Sequence, residues 1–428
     1  MNMEIIPKPV SNPVIYPEDR LPFFKNVIAG FQHVIAMFGG TILCPMLMGF
    51  DPNVAILFSG ISTFLFFVVV RGKIPSYLGS SFSFIAVVIA ATAYSGSGPN
   101  PHVAIAAGGI IATGVLYGLI GVIVLFVGTR WIERLMPPVL TGAIVAAIGL
   151  NLAPVAVHDI GDNQRDVLFG LLTVAMVAVS SIYLPRFLAR LPILIGGGGA
   201  YLLYFLASTI GGGGFVKPID FAATAAAPWF GFPNFVAPSF EASSCLLIAP
   251  VAIILIAENL GHVRSIGIMM GRNLDPSLGR AFLGDGLATV LSASFGGTGV
   301  TTYAENMGVM AITRNFSSRT FLFAAFFAIC FGLSPKFGAL IQTIPQPIMG
   351  GLSLVVFGLI ASAAGRIWVE NRVDFTNPRN LIMVGVAAMI AAGNLSLQIG
   401  GFVLGGIGLA TVSSLALYHG LGLRLGKN

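Results

Sequence analysis

The sequence predicts an all-α polytopic membrane protein. It has fourteen membrane-crossing segments arranged as two sevens of inverted orientation, with the third and tenth broken by short extended stretches. Three observations carry this prediction. The 428 residues are 56% hydrophobic and 9% charged, with a mean hydropathy of +0.91. Soluble domains hold about 25% charged residues, so a soluble core of this size is excluded. Apolar runs long enough to cross a bilayer, roughly 17–25 residues each, recur along the whole chain. The 54 glycines and 25 prolines suit helices that pack closely and are interrupted.

Taken in order, the first two spans are unbroken apolar runs, 26–48 and 53–70. The third, 76–95, opens on PSYLGSSFSF, whose glycine, serines and aromatics favour extended backbone before a helix begins. The fourth is 103–128. The fifth, 135–156, starts at Pro137 and Pro138, residues suited to a first helical turn. Spans six and seven are 167–184 and 190–210. A long stretch at 211–242, rich in aromatics, prolines and small residues, separates them from span eight and is expected to be either an interfacial cap or an ordered loop. Span eight, 243–262, carries Glu258 and His262; span nine, 277–295, carries Asp285. Span ten, 297–313, opens on GTGVTTYAENMGV and repeats the character of span three. Spans eleven to fourteen are 319–334, 346–365, 380–393 and 400–420. Span twelve opens IPQPIMGG, which resembles MPPVLTGA at the fifth, its counterpart in a repeat of seven.

Fourteen spans put both termini on one side, and nineteen of the 22 basic residues then fall on that side, leaving Arg165, Lys217 and Lys336 opposite. Positive charge marks the cytoplasmic face. The basic balance is therefore a topology signal and no sign of nucleic acid. The first 22 residues lack the basic-then-apolar pattern of a cleaved leader. Cys44, Cys245 and Cys330 lie in apolar runs and read as small core residues.

Acidic groups within apolar runs are expensive in lipid, so they turn toward protein or a water-filled path. Glu258 and His262 are four apart and share a helix face. Glu305 follows the broken start of span ten, where a carboxylate also neutralises orphan helix N–H groups. Tyr303 beside it offers a ring for a planar ligand, and Phe82 offers one from span three. Asp285, flanked by glycines, is expected to pair with His262 or a hydroxyl, or to line a proton path. Gln32, His33 and Asn306 are expected to buttress the site. Extended backbone at membrane depth must face protein or a cavity. Two such segments crossing would offer N–H donors for carbonyl oxygens. Two carboxylates accept N–H donors. Together these groups fit a flat ring with alternating C=O and N–H, and one carboxyl able to hold a proton would couple entry to a proton gradient. No Walker motif, metal-ligand spacing, nucleophile or cofactor signature appears, so the chain reads as a non-enzyme without cofactor or metal.

Four pieces, FQHVIAMFG (31–39), GKIPSYLGSSFSFI (72–85), AENLGHV (257–263) and TTYAENMGVMAITR (301–314), resemble the nucleobase:cation symporter-2, or nucleobase–ascorbate transporter, family. GFDPNVAILFSGI and FGLIASAAGRIWVENRVD resemble its pyrimidine-permease branch. The resemblance covers about 20–420. It implies short antiparallel strands in spans three and ten. It implies a core domain (23–128 and 243–335) and a gate domain (129–242 and 336–420), between a cytoplasmic segment 1–22 and a tail 421–428. It further implies that Glu258 and Glu305 bind ring N–H groups. Phe82 and Tyr303 would pack on the base, with backbone near Ser81, Phe82 and Gly308 meeting carbonyls and His262 joining the coupling network with Asp285. The implied activity is proton-coupled import of uracil, and of thymine or other pyrimidine bases, across a bacterial inner membrane. Nucleobase, protons and lipid would be its partners, with a homodimer through the gate domain. Phe357 and Asp285 depart from the uracil-permease pattern, which has tyrosine and asparagine there. A purine or xanthine symporter is the alternative; an anion transporter of related topology and an uncoupled channel rank lower, because two carboxylates repel an anion.

Overall fold

The computed structural model describes residues 14–94, 96, 98–185, 188, 191–210, 216–399 and 402–422. Residues 1–13, Arg186, Arg190, 211–215 and the tail from 423, which carry part of the expectations about basic turns and the long stretch, lie outside the described residues.

Helices α1 (Phe23–Leu47) and α2 (Pro52–Val69) open the chain. Asp51 caps α2 by accepting from the Asn53 amide, with Pro52 in the first turn. Strand β1 (Leu78–Ser80) runs into a 3-10 turn at Phe82–Phe84 and then α3 (Ile85–Thr92). Next come α4 (Val103–Val127), the short α5 (Arg130–Leu135), α6 (Pro138–Ile160), α7 (Gln164–Tyr183), α8 (Pro192–Ile210) and α9 (Ala222–Ala226). A second series follows: α10 (Ala242–Ile248), α11 (Val251–Met270), α12 (Leu278–Ala293), β2 (Val300–Thr302), α13 (Ala304–Thr313), α14 (Ser318–Gly332) and α15 (Pro335–Ile341). The chain closes with α16 (Gln346–Glu370), α17 (Pro378–Ala392), a hairpin of β3 (Leu397–Ile399) and β4 (Phe402–Leu404), and α18 (Gly406–Gly422). Among the described residues, eight helical segments, with α10 and α11 counted as one, are long and apolar enough to cross a membrane. The count is nine if α14 and α15, bent by 82°, form one span.

Two departures from the sequence reading matter. Helix α11 runs on to Met270, so Glu258 lies twelve residues before its end, about 18 Å of helix rise. The helix continues past Arg264 because that guanidinium is paired with Asp275, at 3.0 Å, and with Glu133. The last span begins at Gly406, because β3 and β4 pair in a hairpin ahead of it.

The helices pack as two groups. In one, α4 lies on α12, and α2 on both α14 and α12, with α1 on α14. In the other, α6 lies on α16, α7 on α8, α17 on α18, and α7 and α6 touch α16 and α17 respectively. Contacts between the groups are sparse. Glycines set the closest approaches, since without a hydrophobic drive in lipid helices associate through tight packing. A Cβ on Gly121 of α4 would sit 2.4 Å from the Leu283 nitrogen of α12, and one on Gly149 of α6 would sit 2.5 Å from the Phe357 carbonyl oxygen of α16.

On the basic side a short strap of residues 14–20 crosses the first group. The Ile15 amide donates to the Arg314 carbonyl (2.9 Å) and the Phe316 amide to the Ile15 carbonyl (2.8 Å). Arg272 donates to the Glu18 carboxylate at 2.7 and 3.0 Å and covers the Tyr16 ring.

Candidate functional site

Strands β1 and β2 pair antiparallel inside the first group, Gly79 opposite Thr301. The Ser81 amide donates to the Gly299 carbonyl (2.9 Å) and the Tyr303 amide to the Tyr77 carbonyl (3.1 Å). A two-stranded ribbon leaves outer-edge backbone groups that lipid-depth burial would penalise. Thr63 of α2 accepts from the Leu78 amide at 2.9 Å. Thr289 of α12 does the same for the Val300 amide, at 3.2 Å, and donates back to the Val300 carbonyl. These threonines escape the sequence reading. A lone hydroxyl in an apolar run usually bonds its own helix, and nothing local marks these two.

Each strand delivers the chain to a helix start. Ser81 caps the turn at Phe82 by accepting from the Ser83 amide, and Tyr303 precedes α13. Glu305 lies in the first turn of α13, where its own backbone amide acts on its carboxyl. Glu258 comes from α11; the Ser81 and Ser83 hydroxyls and the charge of Glu305 act on it. Both residues are half-buried. Gly261 and Gly308, each three residues further on the same helices, have nothing within 4 Å of where a Cβ would sit, so both helices present an open face one turn from the acids. Glu258, Glu305 and Ser81 are thus brought together, with Gly308 one turn beyond Glu305 on α13.

Phe82 is half-buried and meets Phe357 of α16 edge-on, ring centroids 6.4 Å apart and planes at 81°. This contact joins the two helix groups. The Tyr303 ring is turned into the protein, 4% exposed. Its hydroxyl donates to the Ser80 carbonyl at 2.8 Å and accepts from Thr41 at 3.3 Å. The ring expected on the ligand thus holds the strand edge, which needs a donor at that carbonyl.

His262 does not pair with Asp285; its Nδ1 lies 2.9 Å from the Thr302 hydroxyl, tying α11 to the end of β2. Asp285 is fully buried and is met instead by Asn259, whose amide donates to it, and by the Tyr117 hydroxyl at 3.5 Å. Asn259 also donates to Tyr117 at 2.9 Å. Asn259 adjoins Glu258 in AENLGHV, so its type and place were visible, but Tyr117 gave no signal. Asn306 donates to the His33 carbonyl at 2.9 Å and reaches its Nδ1 at 3.1 Å, fastening α13 to α1. Gln32, next to His33, is half-buried. No group of three or more His, Cys, Asp or Glu side chains able to hold a metal ion occurs among the described residues.

The arrangement offers two carboxyl acceptors, the Ser81 and Ser83 hydroxyls beside Glu258, the starts of two helical segments and the Phe82 ring. That chemistry suits a neutral planar ligand with N–H and C=O edges.

Residues 24–400 match a family described as a permease family. The chain is 54% identical over 404 residues to a protein of Escherichia coli (strain K12) described as "Putative pyrimidine permease RutG", covering 94% of this chain and 91% of that one. It is 38% identical to the uracil permease of Escherichia coli (strain K12) over 409 residues, 93% of this chain and 92% of that one. Against the uracil permease of Bacillus subtilis (strain 168) it is again 38% identical, over 414 residues and 92% of each chain. Among solved structures it is similar in fold to the murine solute carrier 26 family member A9 anion transporter in the inward-facing state. The TM-score is 0.68 at 12% identity, over 96% of this chain and 70% of that one. The transmembrane domain of the cyanobacterial bicarbonate transporter BicA gives a TM-score of 0.64 at 16% identity, over 91% of this chain and 96% of that one.

Proposed function

The chain belongs to this permease family, and on that premise we propose that it is a proton-coupled symporter importing uracil and related pyrimidine bases by alternating access. The single observation that carries the reading is the acid pair: Glu258 and Glu305 lie close enough for the charge of one to act on the other, beside the backbone crossing of β1 and β2. Relatives described as pyrimidine or uracil permeases match over more than nine-tenths of the chain.

In this reading the chain makes fourteen spans, seven plus seven inverted, with short strands in spans three and ten. The helix neighbours support it. Moving each span on by seven turns the α2–α14 pair into α12–α4, and α7–α16 into α17–α6, both of which occur. The pairing of Thr63 and Thr289 with equivalent strand positions repeats the same relation. Residues 23–128 and 243–335 form the core domain, and 129–242 and 336–420 the gate. Both termini lie in the cytoplasm of a bacterial cell and the protein spans its inner membrane, pairing with a second copy through the gate.

Glu258 and Glu305 accept the ring N–H groups, and the backbone near Ser81, Phe82 and Gly308 meets the carbonyls. Phe82 covers the base, Phe357 closes against it from the gate, and Tyr303 holds the strand that presents Ser81. Glu258 with His262 carries the coupling proton, and both ionised carboxylates at once would repel. Asp285, Gln32, His33 and Asn306 support these elements. The anion chemistry named for the two solved structures does not suit an acid pair. Uptake of radiolabelled uracil into proteoliposomes tests the function. Accumulation driven by an inward proton gradient, and competed by unlabelled uracil, is expected; competition by xanthine in its place transfers the site to purines.

A further inference from the structure

A cavity of about 740 Å³ lies away from the acid pair, on the face opposite the basic turns. Its walls come from both helix groups: Phe50, Asp51 and Tyr94 from the first, Asp159, Gln346 and Met349 from the second. Met349 and Phe357 are both on α16, eight residues apart, which is about 12 Å of helix rise. The Phe82–Phe357 contact therefore lies about two helical turns of α16 away from this cavity.

Its polar groups differ in how far they are already engaged. Asp51 is spent on capping α2. Asp159, at the end of α6, is 6% exposed. The exposed His158 lies 3.8 Å from its carboxyl, and the Tyr94 hydroxyl, which donates to the Gly98 carbonyl, feels its charge. The carboxyl also borders Gly96 of the first group. The backbone of Asp159 packs on Gly350, and Gln346 sits four residues earlier on α16, one turn toward the cavity mouth on the same face. Gln346 is exposed, and its amide is free to donate and accept.

From this geometry we propose that the cavity is a second, weaker binding site for the same class of ligand. There a planar ring with an amide edge places its N–H on Asp159 and its C=O on the Gln346 amide before it reaches the central site. A carboxylate next to a primary amide is complementary to adjacent N–H and C=O groups, and the Phe50 and Tyr94 side chains supply apolar wall. The inference rests on the nucleobase reading of the central site.

Equilibrium binding of radiolabelled uracil to the purified full-length protein in lipid nanodiscs tests it. Wild type should show a tight and a weak class of site. Glu305→Gln should weaken the tight class about 10–150-fold and leave the weak one unchanged. Asp159→Asn should do the reverse and raise the KM of uptake about tenfold at unchanged maximal rate, the factor expected for one lost charge-assisted bond. Gln346→Ala, at an exposed position, should act in the same direction and carries the test if Asp159→Asn does not fold. A single class of site, weakened in Glu305→Gln and untouched by both cavity variants, overturns the second site while the central reading stands. A wild-type protein that binds no uracil overturns both.

Discussion

Replacing Tyr303 by phenylalanine separates two roles for this ring. The Ser80 carbonyl sits on the outer edge of the ribbon, in a residue with no exposure, and the Tyr303 hydroxyl is its donor at 2.8 Å. Phenylalanine keeps the ring and removes the donor. Leaving a buried carbonyl unsatisfied costs about 1–3 kcal/mol, with no water at membrane depth to take over. Thr41, which donates to the same hydroxyl at 3.3 Å, loses a weak bond and can turn elsewhere. At 1.4 kcal/mol per factor of ten, the balance between the ordered and the displaced strand shifts by about 5–150-fold. Thermal melting of the purified variant should therefore begin lower. Uracil affinity, measured in the cold where the strand stays ordered, should change by no more than about threefold, under 1 kcal/mol. An unchanged melting curve with binding lost by more than about tenfold would refute this: the hydroxyl would then be on the ligand and the strand edge satisfied by other means.

Other substitutions address the remaining parts. Glu305→Gln should weaken uracil binding by about 1.5–3 kcal/mol through loss of a charge-assisted acceptor; unchanged affinity in the folded variant removes Glu305 from the site. Glu258→Gln should abolish accumulation against a gradient while leaving exchange of uracil measurable, and normal proton-driven accumulation would defeat its coupling role. Gly121→Ala places a Cβ 2.4 Å from the Leu283 nitrogen; backbone cannot yield as a side chain can, so a loss of about 1–3 kcal/mol is expected as a lower melting midpoint. The strap should respond to acid. The Arg272 guanidinium holds the Glu18 carboxyl below the usual glutamate range. Its stabilising effect is therefore complete above the ordinary value of about 4.3 and is lost as pH falls through the lowered one. Proteolytic cutting within 14–20 should rise in that acidic window, and Arg272→Ala should make it high throughout.

Much of this arrangement was legible in the chain because lipid imposes strong rules. Apolar runs located the helices. The Gly, Ser, Thr and aromatic openings at 75–84 and 297–309 marked the places where helix gives way to extended backbone. Glu258 and Glu305 stood out because a carboxyl among apolar neighbours has to be explained. What hid was pairing across long sequence distance. Span eight looked complete at 262, but Asp275 and Glu133 neutralise Arg264 and the helix continues. Asp285 was read against His262, a hydroxyl or a proton path; the hydroxyl is there, from Tyr117, together with the Asn259 amide, and His262 is not. Tyr303 was read by its ring, and the backbone need at Ser80 decides where that ring goes.

The strap of residues 14–20 joins two turns that have something in common. One is Gly271–Arg272, directly after the helix that carries Glu258; the other is Arg314–Phe316, directly after the helix that carries Glu305. A single clasp therefore ties together the far ends of both acid-bearing helices, while Asn306 ties the start of α13 to α1 and His262 ties the middle of α11 to β2. In the proposed cycle the two carboxyls then travel as one rigid jaw. The grip on the cargo need not be remade between the two faces of the membrane, and the stroke alters only which side the jaw opens to.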